Sequence, residues 1–315
     1  MERPSHGAGC RPGWARSVPR LLLPLLPLLT PSLTAQAGGV EVFAAEPLFA
    51  GGTRVSLSHI YETKGSLYRG SNEIPDALNR EQDEQRLVLG IDRGVSTNFS
   101  VSALVPFVAL DFDSDMGAAD SAGLGDVALI GKYRFHREDW KQGTFNVALV
   151  GGLETPTGRT SEKDGGATLP PGLQPGKGSW NPFLSVSSNL SAGRYRLDGS
   201  AFYKLNTEGK QEYEDGDFFA LALDGKYRFL HEQYPGPTAG VKLGLQYRHE
   251  GRDEQNGTSV VNSGSDELRV RTGLSWHPAP NIDFSFTVEI PVYRDFNGEQ
   301  LAVDYRTFLA LGLRF

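Results

Sequence analysis

Polar and apolar residues alternate along most of the chain after Thr53. In Gly123–Phe135, for example, every second residue from Val127 onward is apolar, aromatic or glycine, and charged residues fall between them. Because successive side chains of a β-strand point to opposite faces, such a segment predicts a strand with one oily face and one partly charged face. Twelve segments of this kind begin near Arg54, Gln85, Phe99, Gly125, Gly143, Trp180, Tyr195, Phe218, Ala239, Glu267, Ile282 and Val303.

The connections between these segments alternate in length. The short ones read GVSTN, HREDWKQG, SAGR, HEQYPGPT and HPAPN. The long ones are Lys64–Glu84, Asp111–Ser121, Pro156–Ser179, Asn206–Asp217, Gly251–Ser265 and Asp295–Ala302. The strands of a soluble β-sandwich would also show alternating polar and apolar residues, but that fold gives no reason for short and long connections to alternate. A transmembrane barrel does, and lipid requires its sheet to close on itself. We therefore predict an all-β fold, a transmembrane antiparallel up-and-down β-barrel of about 12 strands, with both termini on the periplasmic side.

Composition agrees with this fold class. The 315 residues include 38 glycines, aromatic residues make up 10% and the formal charge is −7. Mean hydropathy is −0.33, and no run of eighteen apolar residues exists, which excludes a helical membrane protein. An acidic, exported chain is also a poor candidate for binding nucleic acid.

The N-terminus resembles an export signal. Arg11, Arg16 and Arg20 precede the apolar run Leu21–Leu29, and Ala35 and Ala37 supply the small residues of a cleavage site. The alternative, an organellar transit peptide, lacks such a compact apolar core. Cleavage after Ala37 removes the sole cysteine, Cys10, and a net charge of +3, which takes −7 to −10. We predict a signal peptide over 1–37, a short periplasmic or plug-like lead-in over 38–52, a barrel over 53–315 and a location in the bacterial outer membrane.

Aromatic residues mark the predicted periplasmic ends of the strands. The stretch GKYRF occurs twice, and the chain ends on the similar LGLRF. Aromatic rings settle at membrane interfaces, so this repetition indicates a girdle at the membrane border. The expected partners of the barrel as a whole are outer membrane lipid and lipopolysaccharide. The predicted girdle residues are Phe99, Tyr133, Phe135, Phe145, Tyr195, Tyr227, Phe229 and Phe315. A terminal Phe315 also resembles the signal by which barrel-insertion machinery recognises outer membrane proteins.

Three motifs carry a family resemblance. The stretches GLGDVALIGKYRF, RGVSTNFSVSALVPF (Arg93–Phe107) and ETPTG (Glu154–Gly158) are similar to elements of the MetA-pathway phenol-degradation family of outer membrane transporters. The resemblance covers about residues 50 to 315. It implies a barrel that passes small and often hydrophobic compounds, and it supplies no catalytic residues.

Charged residues on the second face of the strands should line the interior of the barrel. A cation facing lipid near the midplane would cost about 2–4 kcal/mol, so these side chains must point inward. The candidates are Arg86, Asp126, Lys132, Arg134, Arg196, Asp224, Lys226, Arg228, Lys242, Arg248, Arg269, Arg271, Glu289 and Arg306. Two interpretations stay open: a charged conduit that steers a solute, and an interior neutralised by its own ion pairs without a through-channel. The charged interior favours a polar solute, whereas the family resemblance implies a hydrophobic one.

Other functions find less support in the sequence. A lipase on a barrel wall would need a serine beside a histidine on the lipid-facing side, but Ser58 and His59 are neighbours along a strand and face opposite sides. The acidic stretch DFDSDM (Asp111–Met116) resembles a calcium loop but has Met where that loop needs Gly. No cofactor is expected. We predict passive passage of small solutes without catalysis, the alternative being a plugged structural or adhesion barrel that binds a partner through its long loops.

Overall fold

The fold is an antiparallel barrel built almost wholly of β-strands. A computed structural model describes residues 43–315. The predicted signal peptide and residues 38–42 of the predicted lead-in therefore lie outside the described residues. In the described part of the chain, the wall contains β1 (Thr53–Gly70), β2 (Glu81–Gly94), β3 (Phe99–Asp113), β4 (Ala128–Trp140), β5 (Gly143–Glu154), β6 (Asn181–Ala192), β7 (Tyr195–Lys204), β8 (Phe218–His231), β9 (Thr238–Glu250), β10 (Ser265–Ala279) and β11 (Ile282–Arg314).

Each strand pairs with the next along the chain, and β11 pairs back with β1 to close the ring. The 33-residue β11 crosses the wall twice. Its first part pairs antiparallel with β10 and its last part antiparallel with β1, although β1 and β10 run in opposite directions through the alternating sheet. The strand must therefore reverse, and it does so beside Gly298, whose φ of 79° suits glycine. The eleven strands of residues 43–315 thus make the twelve crossings that the sequence predicted.

Both termini of the barrel lie at the end that carries the short turns. Thr53 and Phe315 exchange two backbone hydrogen bonds of 3.1 and 2.8 Å there. The strands at this end are joined by residues 95–98, 141–142, 193–194, 232–237 and 280–281, and those at the opposite end by 71–80, 114–127, 155–180, 205–217 and 251–264. We call these the short-turn end and the long-loop end.

Several predicted connections are wrong in extent. The predicted long connection Lys64–Glu84 is shorter, because β1 continues to Gly70 and β2 begins at Glu81. The stretch HREDWKQG is mostly strand, because a register shift between Arg134 and His136 lets pairing with β5 continue to Trp140. The predicted long connection Asp295–Ala302 is a tight reversal, because the residues on both sides of it keep their ladder partners in β10 and β1.

The outer surface of the wall is apolar. Outward side chains such as Leu129, Leu223 and Leu243 are 52%, 54% and 66% exposed. The predicted girdle residues also point outward near the short-turn end, and the rings of Tyr195 and Tyr227 lie 5.2 Å apart. An apolar outer band with aromatic residues at its border is the surface that a membrane barrel presents to lipid. Among residues 43–315, no helix is long and apolar enough to cross a bilayer.

Small elements at the long-loop end cover the barrel. Ala119–Leu124 extends the wall beside β3, and Asn72–Ile74 extends it beside β1. Further short elements are the strand pair Lys163–Asp164 with Ala167–Thr168, the sheet of Tyr213–Glu214, Glu254–Gln255 and Thr258–Ser259, and the 3-10 turns Pro171–Leu173 and Lys210–Glu212. Leu169 and Leu173 of the longest loop pack on the buried Val108 and Leu110 of β3, so this loop folds over the barrel opening.

Candidate conduit in the barrel interior

A cavity of about 910 Å³ occupies the short-turn half of the barrel interior. Its walls come mainly from inward residues of β6 to β11, and the segment before β1 forms one side of it. The charged side chains that line it are the cations Arg54, Lys132, Arg196, Lys226, Arg228, Lys242, Arg271 and Arg314 and the acids Glu46, Asp92, Asp198, Asp224 and Asp283. These eight cations and five acids give the cavity an excess of three positive charges.

An ion network fills one side of the barrel interior, between the cavity and the long-loop end. We define it as Glu62, Glu267, Arg269, Glu289 and Arg306, each no more than 4% exposed. Arg306 pairs with Glu62, and its Nη1 lies 3.8 Å from Glu289 Oε2. Arg269 Nη2 donates to Glu267 Oε2 at 2.5 Å. Ions buried this deeply are tolerated only when they pair with one another, so the network binds three strands of the wall together.

An apolar cluster fills the opposite side of the barrel interior from the ion network. Phe183, Phe202 and Phe218 lie at its centre, with inward Val150 and Ile130 beside them. The ring centroids of Phe183 and Phe202 are 5.7 Å apart, and those of Phe202 and Phe218 are 5.9 Å apart. The middle of the barrel is therefore divided between an apolar half and an ionic half.

The two halves meet at Arg248. The guanidinium of Arg248 lies 4.8 Å from the ring centroid of Phe218, and its Nη2 donates to Glu250 at 2.9 Å. Such a contact offers a charge the electron-rich face of the ring where water is excluded.

The segment before β1 lies inside the barrel. Phe43 packs against Phe183 and Phe202, with ring centroids 6.2 and 5.9 Å away. Glu46 accepts hydrogen bonds of 2.8 and 2.6 Å from the two terminal nitrogens of Arg196. A bidentate pair of this kind fixes both position and orientation, so Glu46 is anchored within the lumen.

The fourteen candidate residues all face the interior, but they do different things. Arg86 pairs with Glu84, and Arg271 bonds Glu289 and Asp224 at 2.9 Å each. The predicted lumen residue Asp126 instead holds the longest loop, because its two carboxylate oxygens accept from the backbone N–H groups of Gly158 and Lys177 at 2.8 and 2.6 Å. Burial raises the pKa of this carboxyl, which lies outside the strands.

Several interior residues escaped the sequence-based search. Glu62, Glu84 and Glu267 occupy the same strand face as the candidates that they pair with, and extending the alternation toward the long loops would have found them. Glu46 carries no such signal, because it precedes the first strand and belongs to no periodic segment.

The residues considered for other chemistry do not assemble. Ser58 is buried inside the barrel, whereas His59 beside it lies on the outer face. His249 Nδ1 lies 3.0 Å from Asp266 Oδ1, on the outer surface near the long loops. Within residues 43–315, no group of three or more His, Cys, Asp or Glu side chains is placed to hold a metal ion.

The barrel with its apolar band and occupied interior defines the class of outer membrane β-barrels. The family model "Putative MetA-pathway of phenol degradation" matches residues 77–306, and the chain belongs to this family. Comparison with curated proteins finds no match.

A solved structure shares the fold, and others are similar over most of the chain. The COG4313 outer membrane channel from Pseudomonas putida F1 is 17% identical, with a TM-score of 0.68 over 86% of this chain and 98% of that one. The β-domain of the Bordetella autotransporter BrkA is 10% identical (TM-score 0.48, 84% and 100% covered). The CymD monoaromatic hydrocarbon channel is also 10% identical (TM-score 0.41, 85% and 89% covered).

Proposed function

We propose that the protein is a passive channel of the bacterial outer membrane that admits small solutes through its interior. The observation that carries this proposal is the 910 Å³ cavity enclosed by a barrel whose outer face suits lipid. A cavity of this size accommodates a molecule of one or two rings. In this proposal the solute moves down its own gradient.

The lining supports a solute with both apolar and polar parts. The aromatic cluster around Phe202 borders the cavity on one side, and paired ions border it on the other. Membership of a phenol-degradation family favours small aromatic compounds among the solutes that fit this lining. A solute with an aromatic ring and a polar group would satisfy both expectations from the sequence, the polar solute and the hydrophobic one.

The filled middle makes the path narrow. Solute that enters the cavity meets the ion network and the apolar cluster, so passage needs local movement of these side chains or of the segment around Phe43. Catalysis has no part in this proposal.

In this proposal, Phe315 and the girdle residues at the short-turn end serve assembly of the barrel in the membrane. Phe315 is 71% exposed at the short-turn end, where insertion machinery could reach it, and the girdle residues contact lipid. The outer leaflet around the long loops would be lipopolysaccharide.

Single-channel conductance in planar bilayers tests the proposal with a matched pair of variants. Ser200 points into the cavity, whereas Leu197, three residues before it on β7, is 44% exposed on the outer wall. Ser200→Trp should reduce the conductance step because its ring occupies the cavity, and Leu197→Trp should leave the step unchanged. A folded barrel without conductance in any variant would refute the channel and favour a plugged barrel that binds partners through its loops.

A further inference from the structure

The five acids of the cavity are all engaged by cations. Arg54 Nε lies 2.8 Å from Asp92 Oδ2, and Arg314 Nη2 lies 3.2 Å from Asp283 Oδ1. Glu46 and Asp198 share Arg196, as salt bridges of 2.6 and 2.7 Å show. Asp224 pairs with Arg271 at 2.9 Å.

Two cations of the cavity remain without an acidic partner. Among residues 43–315, no carboxylate oxygen lies within salt-bridge distance of the Lys242 ammonium or the Arg228 guanidinium, whose side chains are half-buried. The nearby acids are already occupied, since Asp198 is bound to Lys226 at 3.0 Å and Asp224 to Arg271. An enclosed cation without a counter-charge is costly unless something supplies one.

The sheet register places these cations side by side. Lys226 of β8 stands directly opposite Lys242 of β9, and Arg228 stands opposite Gly240, two residues before Lys242. Like charges opposite each other repel, and diagonal neighbours lie within reach of long side chains. We call Lys226, Arg228 and Lys242 the cationic patch.

The wall beside the patch borders the cavity and carries a hydroxyl group. Gly240, opposite Arg228, lines the cavity, and Gly273 of β10 stands opposite Lys242, so neither position puts a side chain between the cations and the cavity. Ser275 lines the cavity next to them. Room, two uncompensated positive charges and a hydroxyl donor are the components of a site for a carboxylate.

We propose that the cationic patch binds the carboxylate of a small aromatic acid, so that the cavity selects organic anions over neutral molecules of the same shape. This inference rests on the proposed function, since it names the solute class that the channel prefers. The acid places its carboxylate between Lys242 and Arg228, while its ring lies in the cavity toward Phe202.

The test compares benzoate with benzamide, which has nearly the same shape but no charge. Isothermal titration of the protein purified from outer membranes measures binding of each. Wild type should bind benzoate at least about tenfold more tightly than benzamide, the difference expected for one charge-assisted hydrogen bond. Lys242→Gln and Arg228→Gln should each remove most of this preference.

Lys141→Gln is the matched control, because it removes one positive charge from the exposed turn between β4 and β5, outside the cavity. It should keep the full preference for benzoate, and heat-modifiability on gels shows that each variant is folded. Equal binding of benzoate and benzamide by wild type, or an unchanged preference in Lys242→Gln, overturns the inference.

Conductance measured on the same preparations separates this inference from the proposed function. Benzoate binding that depends on Lys242 in a barrel that does not conduct supports the site and refutes the channel. A conducting barrel that does not distinguish benzoate from benzamide leaves the channel in place and refutes the site.

Discussion

Replacing Arg306 with methionine tests whether the ion network holds the barrel together. Arg306 is fully buried, so its removal takes away the closest counter-charge of Glu62. Removing one partner of a buried pair costs about 3–5 kcal/mol. Lys64 Nζ remains 3.7 Å from Glu62, and Arg271 still bonds Glu289 at 2.9 Å. We therefore expect a loss near the lower limit, about 3 kcal/mol of unfolding free energy.

The assay is urea unfolding in lipid vesicles followed by tryptophan fluorescence, with two comparison variants. Arg314→Met breaks an ion pair with Asp283 whose side chains are 28% and 17% exposed, and should cost at most about 1 kcal/mol. Adding Glu62→Gln to Arg306→Met should recover part of the stability, because it removes the orphaned charge. The reasoning is refuted if Arg306→Met costs no more than Arg314→Met.

Three further predictions address the loops, the outer wall and the lumen segment. Burial, with Asp215 nearby, raises the pKa of Asp253 in the long loops to about 7. A carboxyl whose pKa is raised in the folded loops stabilises them most when the pH is below its ordinary pKa near 4. This contribution is lost as the pH rises to about 7. Protease digestion of the loops should therefore be faster at pH 8 than at pH 5, and Asp253→Asn should remove the difference; a variant as pH-dependent as wild type would contradict this. Leu243→Arg should cost about 2–4 kcal/mol in unfolding assays because it puts a charge into lipid, and a cost as small as that of Val261→Arg, at an exposed residue of the loop 251–264, would argue against a membrane wall. Glu46→Gln weakens the bidentate pair with Arg196, so the segment around Glu46 should be held less firmly and the single-channel conductance in bilayers should increase. A conductance identical to that of wild type would show that this segment does not obstruct the path.

Alternation along the strands was sufficient to predict the wall. Arg269 and Leu268 are adjacent in sequence, and parity alone assigns the first to the interior, where it is 2% exposed. The same reasoning predicted twelve crossings and the common end for both termini. It succeeds because lipid outside and a polar or packed interior impose opposite demands on successive side chains.

Contacts made outside the periodic segments could not be predicted in this way. Glu46 reaches Arg196 across 150 positions of sequence, and nothing local indicates that the segment turns into the barrel. Asp126 has the parity of a lumen residue, yet its oxygens are used by a loop more than thirty positions away. The position of a residue in the alternating pattern predicts which face of the strand its charge occupies, but not which charges pair. The cationic patch could therefore be recognised only from the ion-pair distances in the structure.

The most direct test of a solute path through this cavity is substituted-cysteine accessibility. Ala222 lines the cavity, whereas its neighbour Leu223 is 54% exposed on the outer wall, and the sole natural cysteine, Cys10, lies in the predicted signal peptide. A water-soluble methanethiosulfonate reagent should reduce the single-channel conductance of Ala222→Cys and leave that of Leu223→Cys unchanged. An effect on Leu223→Cys, or none on Ala222→Cys, would contradict a conducting path through the barrel interior.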